Sequence, residues 1–324
     1  MTGVCGREDL GLLSSMYPKL YPNVGRALVS RFGRLVIGVL LATAGPLFGQ
    51  TAAKLDLYWK KLGSDVAKVE SSFDGVMGVA IKDLTDGRTY FLNADEPMPT
   101  ASMIKIAVLA ELFRQNRMTE RYVVDRKDGL AGDDILTRLS PGVTSLTLRD
   151  VGVLMVAVSD NSATNVLIDR LGMANVNRLL DTLGLKVTRL NRRMLDLDAA
   201  RAGRENVATP REMVALLEAI RGGRAFPADR LAGFLEILGM HKEGYLNRWL
   251  PEGALIANKP GWLDGVRTDA ALGLLPKRPY AVAVMTTFGP TDRTPEDAIA
   301  AIGKLVHDFF DRLGRSSDLG RLMP

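Results

Sequence analysis

Segments that alternate apolar and polar residues lie near both ends of the chain, and the long stretch between them has helical periodicity. The predicted strands are 75–84, 88–93, 253–261, 266–275 and 279–288. Thr85-Asp86-Gly87 favours a hairpin turn between the first two strands. Amphipathic helices are predicted at 52–70, before the sheet, and at 295–313, after it. This order predicts an α/β fold: a five-stranded antiparallel sheet built from both chain ends, flanked by helices, with an inserted all-helical subdomain.

The inserted block is predicted to span 102–222, with Gly- and Asp-rich loops between its helices. Periodicity is weakest around 186–206, where we expect a long loop. Two further helices, at 228–239 and 243–250, are predicted to lead back to the sheet.

The N-terminal segment has the pattern of a secretory signal peptide. Arg26, Arg31 and Arg34 precede an apolar run at 35–48, which small and polar residues follow. The run is shorter than the roughly 20 residues that a membrane-spanning helix needs, although an uncleaved anchor remains the alternative. We therefore expect a leader over 1–50, a catalytic domain over 51–315, a C-terminal tail over 316–324, and a periplasmic or secreted location. Translation from Met16 would give the leader a more usual length.

Charge and cysteine content restrict the possible partners. The whole chain has a net charge of +5, and residues 1–50 contain five basic and two acidic residues, so only +2 belongs to the rest. This small charge gives no reason to expect a nucleic-acid partner. The single cysteine, Cys5, lies in the predicted leader, so an exported protein would have no disulfide and would not be a lipoprotein. We expect a monomer that acts on a small molecule, without a cofactor or a stable membrane span.

Ser102 and Lys105 form an S-x-x-K pattern at the start of an apolar helical segment. Residues three apart share a helix face, so the two side chains should lie together, and Pro99 and Thr100 supply a turn former and a hydroxyl cap. The chain has two histidines and no G-x-S-x-G motif, which argues against a Ser-His-Asp triad. Without a histidine pair or a cysteine after the leader, no metal site is expected. If a serine is the nucleophile here, lysine is the obvious base.

Two further motifs follow in order: Ser159-Asp160-Asn161 and Lys259-Pro260-Gly261. With S-x-x-K they resemble the signature of class A β-lactamases and penicillin-binding proteins. The "TPREM" segment at 209–213 is also similar to that family. The resemblance covers about 55–312 and implies the fold described above.

The resemblance also implies roles. Ser102 would be the acylated nucleophile, and Lys105 would accept its proton, because burial beside a second cation such as Lys259 lowers the pKa of an ammonium group. Ser159 would relay the proton to the departing nitrogen, and Asn161 would hold a substrate amide. Asp160 is expected to be structural.

The remaining roles belong to the segment around the third motif. The backbone N–H groups of Ser102 and of Trp262, which follows Gly261, would form the oxyanion hole. Arg267 lies where it could pair with a substrate carboxylate, or it could form an ion pair with Asp264 or Asp269.

The sequence departs from the family pattern at two places. Class A enzymes usually carry a glutamate in the long loop that activates water for deacylation, and 190–206 contains no E-x-x-L-N. Met194 or Leu195 stands at the expected place, and Asp196, Asp198 and Glu205 are the nearby acids. Asp196 is the candidate base, and an Arg192–Glu205 pair that closes the loop is the alternative. At the second place, Pro260 replaces the usual Thr or Ser and removes a hydroxyl expected to bind the substrate carboxylate.

Three functions follow from this pattern. The first is a serine hydrolase that opens β-lactam rings through an acyl-enzyme on Ser102, as in antibiotic resistance. The second is a D-Ala-D-Ala peptidase or penicillin-binding acyl hydrolase with slow deacylation, which would act on peptidoglycan peptides. The third is a non-catalytic sensor of β-lactams or muropeptides.

Overall fold

The computed structural model describes residues 45–130 and 134–323. Residues 1–44, which contain most of the predicted leader, lie outside the described residues. The last residues of that predicted leader belong to the first helix, which begins at Gly45 and not at residue 52.

Nine helices and nine strands make up the described part of the chain. The α-helices are α1 Gly45–Ser71, α2 Lys105–Gln115, α3 Leu148–Ala157, α4 Asn161–Leu171, α5 Met173–Thr182, α6 Leu197–Arg201, α7 Pro210–Arg221, α8 Leu231–Leu238 and α9 Thr294–Arg315. The strands are β1 Val76–Asp83, β2 Thr89–Leu92, β3 Met98–Pro99, β4 Arg121–Val123, β5 Ser145–Thr147, β6 Val207–Ala208, β7 Ile256–Leu263, β8 Val266–Gly273 and β9 Tyr280–Thr287. None of the helices in these described ranges is long and apolar enough to cross a membrane.

The main sheet has the order β2-β1-β9-β8-β7 and is antiparallel throughout. Strand β1 joins the two chain ends, because it pairs with β2 on one side and with β9 on the other. The predicted five-stranded sheet is thus confirmed. Strand β7 lies at one edge, so one row of its backbone groups is free to bind something other than a strand.

Two hydrophobic cores cover the two faces of this sheet. On one face, α1 and α9 pack together, and their aromatic side chains meet where the Trp59 and Phe310 rings lie 5.8 Å apart. His307 is buried in the same layer, with Nδ1 3.3 Å from the Tyr280 hydroxyl, and so has a packing role. The other face carries α7 and the helical subdomain, which places α2 and α4 next to each other.

The inserted subdomain is mainly helical, but it is not all-helical. Strands β4 and β5 pair over three residues, a length too short to show alternation in the sequence. Strand β3 pairs with β6, which ties the end of the long loop to the segment just before Ser102.

The helix predicted at 243–250 is wrong, because this segment forms turns. The backbone N–H groups of Tyr245 and Leu246 both bind the Asp269 carboxylate at 3.0 Å. These donors are held by a buried side chain of β8, so they do not form helical hydrogen bonds.

Candidate active site

Ser102 and Lys105 lie one turn apart, as the S-x-x-K spacing predicts, but the α-helix begins later than expected. Residues Ala101–Ile104 form a 3₁₀ turn, and α2 starts at Lys105 itself. Thr100 does not cap a helix, because its hydroxyl donates to the Asn206 carbonyl at 3.1 Å. The predicted cap is therefore wrong, and this hydroxyl instead anchors the Ser102 segment to the end of the long loop.

Two residues at the site have left-handed backbone conformations. Ala101, just before Ser102, has φ +47°, and Ser159 has φ +58°. Such angles are uncommon outside glycine, cost of order 1 kcal/mol or more, and cluster at functional sites. The surrounding hydrogen bonds and packing must therefore hold both serines in place.

The Ser159 hydroxyl connects the three motifs. It donates to the Ser102 hydroxyl oxygen at 3.0 Å and accepts from the Nζ atoms of Lys105 at 3.1 Å and Lys259 at 3.0 Å. One hydroxyl thus touches Ser102 and two lysines. A proton can pass between Ser102 and either lysine through this single oxygen.

Lys105 is fully buried within the site. Its Nζ also donates to the Ser159 carbonyl at 2.7 Å and to Asn161 Oδ1 at 2.9 Å. Burial holds the pKa of Lys105 well below its usual range, and the charge of Lys259 lowers this pKa further, whereas Asp134 and Asp160 oppose the shift. The shift favours the neutral amine, the form that a general base requires.

Lys259 is buried beside the same hydroxyl, and its Nζ also donates to the Pro260 carbonyl at 2.9 Å. Burial lowers the pKa of Lys259 to about 7, with Lys242 acting in the same direction and Asp269 against it. This lysine thus changes its charge near neutral pH.

The loop that carries Ser159 is fixed by two carboxylates. Asp160 caps α4 by accepting from the Ala163 N–H at 2.7 Å, the structural role expected from the sequence. Asp134 accepts from the backbone N–H of Asn161 at 3.0 Å and from that of Ser162 at 2.8 Å. Asp134 was not identified from the sequence, because it lies far from every motif.

Strand β7 approaches the Ser102 segment so closely that only glycine fits at position 261. A Cβ on Gly261 would lie 2.8 Å from the Thr100 carbonyl oxygen, 2.9 Å from the Ala101 Cβ and 2.5 Å from the Thr268 hydroxyl. The third motif thus brings the sheet edge against the segment that carries Ser102.

The register of β7 directs the Trp262 N–H towards the site. Because Pro260 has no N–H to donate to β8, its nitrogen must face the free edge of β7. Its carbonyl accordingly binds Lys259 Nζ within the site. Trp262 lies two residues further along and therefore presents its N–H at the same edge, where the oxyanion hole was predicted.

Arg267 forms an ion pair, but with neither of the partners considered from the sequence. Its Nε lies 3.2 Å from a carboxylate oxygen of Glu296 in α9, and its NH1 donates to the Leu263 and Val266 carbonyls at 3.0 Å. Asp269 faces other groups, because it accepts from Asn258 and from two backbone N–H groups.

The long loop is clamped to α4 at the place where the family glutamate was expected. Asn165 donates to the Met194 carbonyl at 3.1 Å and accepts from the Met194 N–H at 2.8 Å. Leu195 follows with φ +58° and a side chain 47% exposed. An apolar side chain therefore occupies this position. Asn165 was missed in the sequence, although it lies four residues after Asn161 on the same helix face.

The three acids of the loop each have a local partner. Asp196 caps α6 by accepting from the Ala199 N–H at 2.9 Å, and Asp198 pairs with Arg201. Glu205 binds Arg192 at 2.9 Å, the closing pair considered as the alternative. No described hydrogen bond joins any of these carboxylates to Ser102, Lys105 or Ser159. The catalytic role of Asp196 remains a prediction.

Comparisons with known proteins agree with this geometry. The family model of the β-lactamase enzyme family matches residues 61–310. A β-lactamase of Streptomyces fradiae is 30% identical over 258 residues, which covers 72% of this chain and 80% of the relative.

Solved structures give the same result. A β-lactamase from Sphaerobacter thermophilus superposes with a TM-score of 0.68 at 30% identity, covering 76% of this chain and 95% of that one. PBP-A, in a leucine-to-glutamate mutant described as an acyl-enzyme complex with penicillin G, gives a TM-score of 0.70 at 25% identity, covering 78% and 97%. With its three motifs assembled around one hydroxyl, this chain belongs to the β-lactamase enzyme family.

Proposed function

We propose that this protein is a serine hydrolase that opens β-lactam rings through an acyl-enzyme on Ser102. The contact between Ser102 and Ser159, with two buried lysines on the Ser159 hydroxyl, carries this proposal. The family assignment supports it, because the matched relatives are named β-lactamases.

The geometry supports the following acylation step. The Ser102 oxygen attacks the carbonyl carbon while its proton passes through Ser159 to Lys105. The N–H groups of Ser102 and Trp262 stabilise the negative oxygen. When the ring C–N bond breaks, the nitrogen takes a proton back from the lysine side through Ser159. The product is an ester on Ser102 with an opened ring.

The residues of the long loop, which would serve deacylation, suggest a second candidate function. Met194 or Leu195, both apolar, stands at the place of the family glutamate, and the loop acids have other partners. If no loop residue activates water, the protein would be a penicillin-binding acyl hydrolase or D-Ala-D-Ala peptidase with slow deacylation. The likeness to PBP-A, whose mutant was solved as an acyl-enzyme complex with penicillin G, supports this reading.

Labelled penicillin and a chromogenic cephalosporin test the proposal together. We expect one acyl mass on the peptide containing Ser102, and none after Ser102→Ala. Ser71→Ala, a change at an exposed helix end, is the matched control. Repeated turnover of the cephalosporin would support hydrolysis, a single burst would support the slow alternative, and label retained by Ser102→Ala would contradict the assignment of the nucleophile.

We further infer that the protein is exported and acts as a monomer. The basic, apolar and small-residue order before residue 51 supports export. N-terminal sequencing of the exported protein should find a start between Gln50 and Lys54, and an intact segment from Arg31 to Phe48 on membranes would contradict cleavage. Light scattering of the purified protein should give the monomer mass.

A further inference from the structure

The place where a substrate carboxylate would bind is unusual in this protein. Pro260 provides no hydroxyl there, and Trp262, two residues along the same edge strand, has a side chain 57% exposed. Residues two apart on a strand share a face, so the Pro260 ring and the Trp262 indole lie on one face of the edge strand β7, on either side of Gly261, which packs against the Ser102 segment.

Arg267, the expected carboxylate partner, is already occupied. It is the cross-strand partner of Trp262, and its guanidinium lies 5.4 Å from the centre of the indole ring. It is 4% exposed and binds Glu296 and two backbone carbonyls. Glu296 also pairs with Arg248 at 2.6 Å, so it is held in place from two sides. A substrate carboxylate would have to compete with Glu296 and displace the indole from the guanidinium.

Lys259 is a further cation near this place. Its Nζ is directed to the Ser159 hydroxyl and the Pro260 carbonyl. Because burial lowers the pKa of Lys259 to about 7, its charge is only partly present at neutral pH.

We propose that the exposed Trp262 indole makes this subsite a receptor for a neutral, preferably aromatic, group in place of a carboxylate. The substrates favoured would carry an esterified or otherwise uncharged substituent next to the scissile amide. This inference rests on the proposed function, since it concerns the same acylation site. Trp262 thereby has two roles, with its N–H stabilising the oxyanion and its side chain setting specificity.

Binding to the Ser102→Ala protein tests the subsite without any requirement for acylation. Calorimetry would compare a penicillin free acid with its methyl and benzyl esters. A site that reads a carboxylate by charge-assisted hydrogen bonds should prefer the acid by roughly ten- to a hundredfold. We expect the acid and the methyl ester to bind within about threefold of each other. The benzyl ester should bind about two- to tenfold more tightly than the methyl ester, as stacking on an aromatic ring predicts.

Variants in the Ser102→Ala background assign the effect to the indole. Trp262→Ala should abolish the preference for the benzyl ester, and Trp262→Phe should retain most of it. Pro260→Thr with Trp262→Ser should shift the preference towards the acid by about tenfold. Trp249→Ala, which removes a tryptophan that is 45% exposed, is the control and should change neither ratio.

Two results would overturn the inference: an acid preference above tenfold in the Ser102→Ala protein, or a benzyl preference that survives Trp262→Ala. The proposed function fails separately, if the parent protein acquires no acyl group on Ser102 from any of these compounds.

Discussion

Replacing Leu195 by Glu should accelerate the hydrolysis of an acyl group on Ser102. Leu195 follows Met194, whose N–H and C=O are both bound by Asn165, so its backbone is fixed relative to α4. A correctly placed general base contributes about 10²–10⁴-fold. The Leu195 side chain is 47% exposed, so a glutamate there would hold the water less tightly than a buried base. We therefore expect the deacylation rate to rise by the lower end of this range, about 10²-fold. That factor corresponds to about 2.7 kcal/mol in the deacylation barrier.

The assay for Leu195→Glu separates the two half-reactions. Rapid mixing with a chromogenic cephalosporin gives the burst, and mass spectrometry follows the loss of the acyl mass from Ser102. The burst rate should stay within a few-fold of the parent, while the steady rate rises.

Two matched variants serve as controls for Leu195→Glu. Leu195→Gln has the same shape without a basic oxygen, and Leu197→Glu places a carboxylate on another exposed leucine of the loop. Equal acceleration by Leu195→Gln would refute the reasoning, because a base would then not be responsible. An unchanged steady rate in Leu195→Glu, with the burst intact, would show that this position does not face the attacking water.

Three other changes test the electrostatics and packing of the site. Lys259 has a folded pKa of about 7, which is below its unfolded value. The folded state therefore binds fewer protons above pH 7, and the free energy of unfolding should rise with pH by up to about 1.4 kcal/mol per pH unit. Lys259→Met should flatten that rise, as measured by urea unfolding at several pH values. Gly261→Ala should lower the acylation rate at least 100-fold by pushing β7 away from Ser102, whereas Gly233→Ala, whose Cβ would have ordinary contacts, should leave it unchanged. Asn165→Ala should cost about 1–3 kcal/mol, measured by denaturant unfolding, because the Met194 N–H and C=O lose their buried partner; unchanged stability would contradict the clamp.

The strands, the long helices and the motif residues could be predicted from the sequence because each has a local signal. Alternation identifies β1, β7, β8 and β9, and the S-x-x-K spacing places Ser102 beside Lys105. The turn at 243–250 could not be predicted, since its N–H groups bind Asp269, which lies more than twenty residues away. The partner of Arg267 was missed for a similar reason, because Glu296 belongs to another element and reaches the site only in the folded protein.

One of the residues that hold the site, Asp269, could also have been recognised as structurally important from the sequence. Asp269 is the one carboxylate of β8, a strand whose eight residues are all buried, and its burial raises its pKa to about 6. Such a residue must have buried donors, which the structure supplies through Asn258 and two backbone N–H groups. Asp134 carries no comparable signal, because an acid in a polar loop is usually solvated.

Acylation and deacylation depend on different parts of this molecule. The groups proposed for acylation lie in the 3₁₀ turn before α2, at the start of α2, just before α4 and on β7, and the Ser159 hydroxyl links them within 3.1 Å. The long loop, where the family pattern has its water-activating residue, is held to α4 by Asn165 and is joined to the Ser102 segment only at its end, through Asn206 and Thr100 among the described hydrogen bonds. We therefore expect a change at Leu195 to alter the lifetime of an acyl group on Ser102 more than its formation. We expect a change at Trp262, on the edge strand, to alter the choice of substrate and not the rate of release.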